Sequence, residues 1–114
     1  MHELSIAQSI LEIVQQHVPE PQASAVQAVR VRVGRLAGVV TDSLEFCFSA
    51  IITDTPWKKA KLDIEEIPTV CLCSDCAGRF AVTDGAFRCP SCGGVNVQLI
   101  SGTELQVVEI DLAD

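Results

Sequence analysis

Residues 73–92 read CSDCAGRFAVTDGAFRCPSC, and the two CxxC pairs that bracket this stretch decide the architecture. Cys73 and Cys76 form one pair, Cys89 and Cys92 the other, with twelve residues between them. Four thiolates spaced in this way close a tetrahedron around one Zn²⁺. The gap is shorter than the about 15–20 residues of the commonest four-cysteine zinc pattern, but it is long enough for a small hairpin. Glycines at 78, 93 and 94 let the backbone turn tightly around a metal-bound sulfur.

Disulfides, a redox CxxC and buried free thiols are the competing readings. Disulfides need an oxidising compartment. The opening Met1-His2-Glu3-Leu4-Ser5 has no basic segment leading into an apolar run, so no signal peptide is read. No apolar stretch is long enough to cross a membrane. A cytoplasmic chain is therefore expected, where spaced cysteines serve metals. A thioredoxin-like site is a single CxxC that opens a helix; here the motif is duplicated and set in turn-forming sequence. Cys47 lies on an apolar helical face and is read as core. Cys71 falls outside the paired spacing and is read as a bystander, with a role as an alternative ligand as the other option.

Outward from the cysteines, the chain has the material for a core of its own. It has 114 residues, 48% of them hydrophobic and 20% charged. A chain of this length buries roughly two thirds of its unfolded surface, and this composition excludes global disorder. The net charge is −7. Asp75 and Asp84 balance Arg79 and Arg88 within 69–102, so the excess acid lies outside the cysteine segment. An acidic chain lacks the basic footprint that binds phosphate backbones, which argues against a nucleic-acid-binding ribbon. A metal-dependent hydrolase needs zinc with an open coordination position, and four cysteines fill it.

An amphipathic helix is predicted over 4–18, with Leu4, Ala7, Leu11, Val14 and Val18 as its stripe and Ile10 alongside. Pro19 and Pro21 stop it. Residues 28–34 alternate, with Val29, Val31 and Val33 opposite Arg30 and Arg32, as in a half-buried strand. A second helix over 42–53 carries Leu44, Cys47, Phe48, Ile51 and Ile52, with Asp42 and Glu45 spaced as a capping box. Trp57 is expected at the core edge. Strands follow at 60–67, where the alternation breaks at Glu65-Glu66-Ile67 as at a bulge or a strand end, and at 104–112, where the slip at Val107-Val108 fits a bulge or two-sided burial. Between them, Phe80-Ala81-Val82 and Ala86-Phe87-Arg88 flank Asp84-Gly85 as a hairpin, and Val95, Val97 and Leu99 alternate as a short strand. The expected class is α+β: two helices on a small three-stranded core sheet, formed by 1–68 and 103–114, with a four-cysteine zinc ribbon inserted at 69–102.

The second chemical feature is Met1-His2-Glu3. The Met1 amine, the His2 backbone nitrogen and the His2 imidazole chelate one ion together, and consecutive backbone nitrogens suit square-planar Ni(II) or Cu(II). Glu3 can add its carboxylate or its backbone nitrogen. An early histidine also occurs by accident in many chains, so this signal alone is weak. His17, near the end of the first helix, is read as a helix-terminus residue rather than a ligand.

Taken together, the chain resembles the HypA/HybF family of hydrogenase-maturation nickel chaperones. The residues that carry the resemblance are Met1-His2-Glu3-Leu4-Ser5-Ile6, Val33-Gly34-Arg35-Leu36, Ser43-Leu44-Glu45-Phe46-Cys47-Phe48, Cys71-Leu72-Cys73-Ser74-Asp75-Cys76, Cys89-Pro90-Ser91-Cys92-Gly93, and Glu104-Leu105 through Asp111. The resemblance implies a metallochaperone that is not an enzyme. It implies transient Ni(II) at His2, the Met1 amine and Glu3, and structural Zn²⁺ at Cys73, Cys76, Cys89 and Cys92. It implies delivery to the large subunit of [NiFe] hydrogenase with a HypB-type nickel GTPase, urease maturation in some organisms, and a monomer or homodimer without nucleic-acid or membrane partners. One departure is Cys76-Ala77-Gly78, where many relatives place glycine directly after the cysteine.

Overall fold

The computed structural model describes residues 2–83 and 85–114. Two α-helices and two three-stranded sheets organise these residues, and the molecule extends 56 Å along its long axis. Helix α1 spans Glu3–His17 and α2 spans Thr41–Ile52. Strands β1 (Val26–Gly34), β2 (Lys61–Ile67) and β6 (Leu105–Leu112) form the core sheet in the order β2-β1-β6. Strands β3 (Val70–Cys73), β4 (Arg79–Ala81) and β5 (Val97–Ser101) form the second sheet, entirely antiparallel, in the order β4-β3-β5.

The alternation in β1 organises the core. Val29, Val31 and Val33 are buried beneath the helices together with Ile6, Ala7, Ile10, Val14, Leu44, Phe48 and Ile52. Arg30 and Arg32 point to the open face, where Arg30 pairs with Asp63 and Glu109 on either side and Arg32 pairs with Glu65. β1 and β2 run parallel, and a parallel pair needs a crossover, which α2 supplies. β6 returns antiparallel on the other side of β1.

The structure corrects several local expectations. The buried face of α1 is Ile6, Ala7, Ile10 and Val14, whereas Leu4 is exposed and Leu11 is only partly covered. The helix has apolar residues over a wide arc, and the position of its neighbours selects which part is buried. The Asp42/Glu45 capping box does not form: α2 starts one residue earlier, with Val40 as its N-cap and no side-chain cap. β2 has no bulge at Glu65-Glu66-Ile67; it keeps register with β1 through Gly34↔Ile67 and ends at that residue, the second of the two expected alternatives. The expected slip in β6 is present: Arg30 faces Glu109 and Val31 faces Val107, leaving Val108 as the extra residue of a bulge. The 80–88 hairpin is absent among the described residues: β4 pairs with β3, and no strand follows it at 86–88; Asp84 of its proposed turn lies outside the described residues. Val95 stands outside β5 and is exposed. Trp57 is buried within the core cluster.

The two sheets meet backbone to backbone. Gly34 N–H donates to Glu104 C=O and Leu36 N–H to Gly102 C=O, both at 2.7 Å. A Cβ on Gly34 would lie 2.1 Å from the carbonyl carbon and oxygen of Gly102. Gly102 has φ +127° and is backed by the buried Thr69. Neither side of this contact is a flexible side chain that can move away. Gly34→Ala is therefore expected to destabilise the fold by an amount at the upper end of roughly 1–3 kcal/mol, read as a lower midpoint in urea unfolding; an unchanged midpoint would show that the junction is soft.

Candidate metal centre

Cys73 ends β3, Cys76 closes the turn after it, and Cys89 and Cys92 bracket a second turn before β5. The four sulfurs lie within 4.8 Å of one another. Cys73 Sγ is 3.5 Å from Cys92 Sγ, and Cys76 Sγ is 3.6 Å from Cys89 Sγ. No disulfide joins them. Zn–S bonds of about 2.3 Å in a tetrahedron place sulfurs about 3.8 Å apart, so the set fits Zn²⁺. Cys71, in the same strand as Cys73, is buried and stands outside the cluster. Cys47 is half-buried against the core.

The two turns repeat one hydrogen-bond pattern. Cys73 N–H donates to Gly78 C=O and Ala77 N–H donates back to Cys73 C=O. In the second turn, Cys89 N–H donates to Gly94 C=O and Gly93 N–H donates to Cys89 C=O. Ala77 thus occupies the place of Gly93, and both are left-handed, with φ of 62° and 74°. The departure noted in the sequence leaves the turn intact but puts a Cβ where glycine is favoured.

Backbone N–H groups converge on the sulfurs. Those of Cys92 and Ser91 favour the Cys89 thiolate against the cost of burial and hold this thiol down at about 7. Gly94 N–H favours the Cys92 thiolate, but hydrogen bonds shared with Cys73 and Cys89, together with burial, push Cys92 up to about 12. Cys76 is raised in the same way: Gly78 N–H lowers it, and its contacts with Cys89 and Cys73 outweigh that. Four crowded sulfurs resist becoming thiolates together, and a divalent cation at their centre reverses this by its own charge.

The other predicted site lies at the opposite end of the chain. His2 is exposed, with extended backbone at φ −88° and ψ 125°, and is the residue before α1; its C=O accepts Ile6 N–H. The Glu3 carboxylate accepts Val40 N–H at 3.3 Å and so ties the start of α1 to the start of α2. Sequence reading missed this tie, because nothing local links residues 37 positions apart. Met1 lies outside the described residues. His17 is a helix-end residue as expected, its Nδ1 donating to Ile13 C=O at 2.8 Å. No helix among the described residues is long and apolar enough to cross a membrane.

A small α+β protein with a helix-covered sheet, a second sheet holding four convergent thiols and an exposed histidine at its first helix defines a metal-handling class. A family model described as hydrogenase/urease nickel incorporation, metallochaperone, hypA matches residues 1–112. The hydrogenase maturation factor HypA of Desulfatibacillum aliphaticivorans is 44% identical over 115 residues, covering 100% of this chain and 88% of that protein. That of Geotalea uraniireducens (strain Rf4) is 42% identical over 112 residues, covering 98% and 99%. The solution structure of the Ni metallochaperone HypA from Helicobacter pylori shares the fold, with a TM-score of 0.64 at 23% identity over 99% of this chain and 98% of that one. A second HypA solution structure matches with a TM-score of 0.68 at 24% identity, covering 98% and 96%. The chain belongs to the HypA family, whose members are maturation factors and not enzymes.

Ala77→Gly is expected to stabilise the first cysteine turn. It removes a left-handed strain of about 1–2 kcal/mol, offset by about 0.4–1 kcal/mol of added freedom in the unfolded chain. A higher thermal midpoint of the metal-loaded protein supports this account of the turn, and a lower one refutes it.

Proposed function

We propose that this protein carries Ni(II) at its N-terminus and delivers it during maturation of [NiFe] hydrogenase, with urease as a second recipient. The observation that carries the proposal is the match to the nickel-incorporation family over residues 1–112, joined to an exposed His2 immediately before α1. The nickel donors are the Met1 amine, the His2 backbone nitrogen and the His2 imidazole. The Glu3 carboxylate is engaged with Val40; the Glu3 backbone nitrogen, at the first helical position, has no intrahelical acceptor and completes the set. Consecutive nitrogens suit square-planar Ni(II). Their place at a chain end allows the cargo to pass to a partner without unfolding the core.

Cys73, Cys76, Cys89 and Cys92 hold Zn²⁺. With all four positions filled by thiolate, this ion contributes folding free energy rather than catalysis. Residues 69–102 act as the zinc unit, and residues 1–68 with 103–114 as the nickel-binding core. The partners of this reading are a HypB-type nickel GTPase and the hydrogenase large subunit, in the cytoplasm.

In nickel titrations of untagged protein, His2→Ala is expected to abolish stoichiometric Ni(II) binding and leave the zinc content unchanged; unchanged nickel affinity would sink the N-terminal assignment. Acid is expected to release nickel, because protons and the metal compete for the same imidazole lone pair. Chelating the zinc should disorder 69–102 while the amide signals of α1 and β1 persist. An ordered ribbon in the zinc-free protein would refute the structural role of the ion.

A further inference from the structure

The helices cover the core sheet unevenly. α1 and α2 bury the inward side chains of β1, whereas β6 is an edge strand whose inward side chains are left partly open. The register with β1 fixes which these are. Leu105, Val107, Ile110 and Leu112 face the helix side, opposite Val33, Val31, Val29 and Val26. Leu105 and Leu112 remain 37% and 44% exposed. Beside them an apolar groove of about 360 Å³ separates α1 from β6, lined by Ser5, Ser9, Ile13, Leu105 and Val107. An uncovered apolar edge of this kind calls for a partner strand.

The pattern within β6 specifies which strand. Because Val108 is an extra residue, the inward set is 105, 107, 110 and 112, which is symmetric about the midpoint of 108 and 109. We infer that β6 pairs antiparallel with β6 of a second copy about that midpoint, joining two core sheets into one of six strands. Residue 105 then faces 112 of the other copy, and 107 faces 110. Both are apolar pairs on the helix side, and residues directly opposite on an antiparallel pair share a face. On the open face Gln106 meets Asp111, and Glu109 meets Val108, so no like charges stand directly opposite, and Glu109 keeps its own Arg30. The bulge, which would misalign β6 against a regular strand, is matched by the same bulge in the second copy. The contact is isologous and closes as a twofold dimer. Leu112 of the second copy stands beside Leu105, at the mouth of the groove.

Sedimentation equilibrium of the untagged, zinc-loaded full chain tests this. A monomer–dimer equilibrium is expected. Leu112→Glu, at an exposed strand end where folding is spared, is expected to weaken the dimer by about tenfold or more, since the pair occurs twice. Adding Leu105→Lys is expected to restore it, because only this register sets the introduced lysine of one copy against the introduced glutamate of the other. Circular dichroism confirms that each variant is folded. A chain that stays monomeric at millimolar concentration overturns the proposal and leaves the edge to a strand of another protein. A dimer indifferent to Leu112→Glu, or one that Leu105→Lys fails to restore, overturns it as well.

Discussion

Backbone lies on backbone where Gly34 of β1 presses against Gly102, and the position of both sheets follows from that contact. Gly34 and Leu36 donate to Glu104 and Gly102, so the end of the central core strand is fastened to the segment that leaves the cysteine-bearing sheet. There is no room for a Cβ at Gly34, and Gly102 adopts a backbone conformation that L side chains rarely take. Thr69, where the chain enters the second sheet, closes the far side: its C=O accepts Val82 N–H, and it is buried. Entry to and exit from the cysteine segment therefore stand side by side.

On this frame the cysteine cluster and the proposed nickel site differ in chemistry as well as position. The four sulfurs are drawn together by two turns of one pattern, with backbone N–H groups aimed at them. Such a site is closed: its donors are soft and negative, and every position of a tetrahedron is filled. A closed site of this kind suits an ion that stays. At the other site proposed, His2 is exposed just before α1, and the Glu3–Val40 hydrogen bond anchors the start of that helix to the start of α2.

Much of this was legible in residue order. The CxxC pairs pointed to a zinc-type cluster, and the four sulfurs do converge. Val29, Val31 and Val33 opposite Arg30 and Arg32 announced a half-buried strand, because period-2 alternation places one set of side chains on each face. The slip at Val107-Val108 is the bulge in β6. Prediction failed where the pattern left a choice. α1 carries apolar residues over more than one stripe, and only the placement of α2 and β1 selects Ile6, Ala7, Ile10 and Val14. Asp42 and Glu45 have capping-box spacing, but α2 begins at Thr41 and puts the box out of phase. Asp84-Gly85 resembles a hairpin turn, yet β4 pairs with β3, and residues 86–88 form no strand to pair on its other side.

The sequence by itself determined the two helices, the strands of the core sheet, the four cysteines that converge and the apolar face of β1, because these depend on residue type and short-range period. Only the tertiary structure decided the parallel pairing of β1 with β2, the approach of Gly34 to Gly102, the Glu3–Val40 tie and the uncovered edge of β6. Each of these joins residues far apart in the chain, and the free energy that selects them comes from packing and backbone hydrogen bonds that no local pattern encodes.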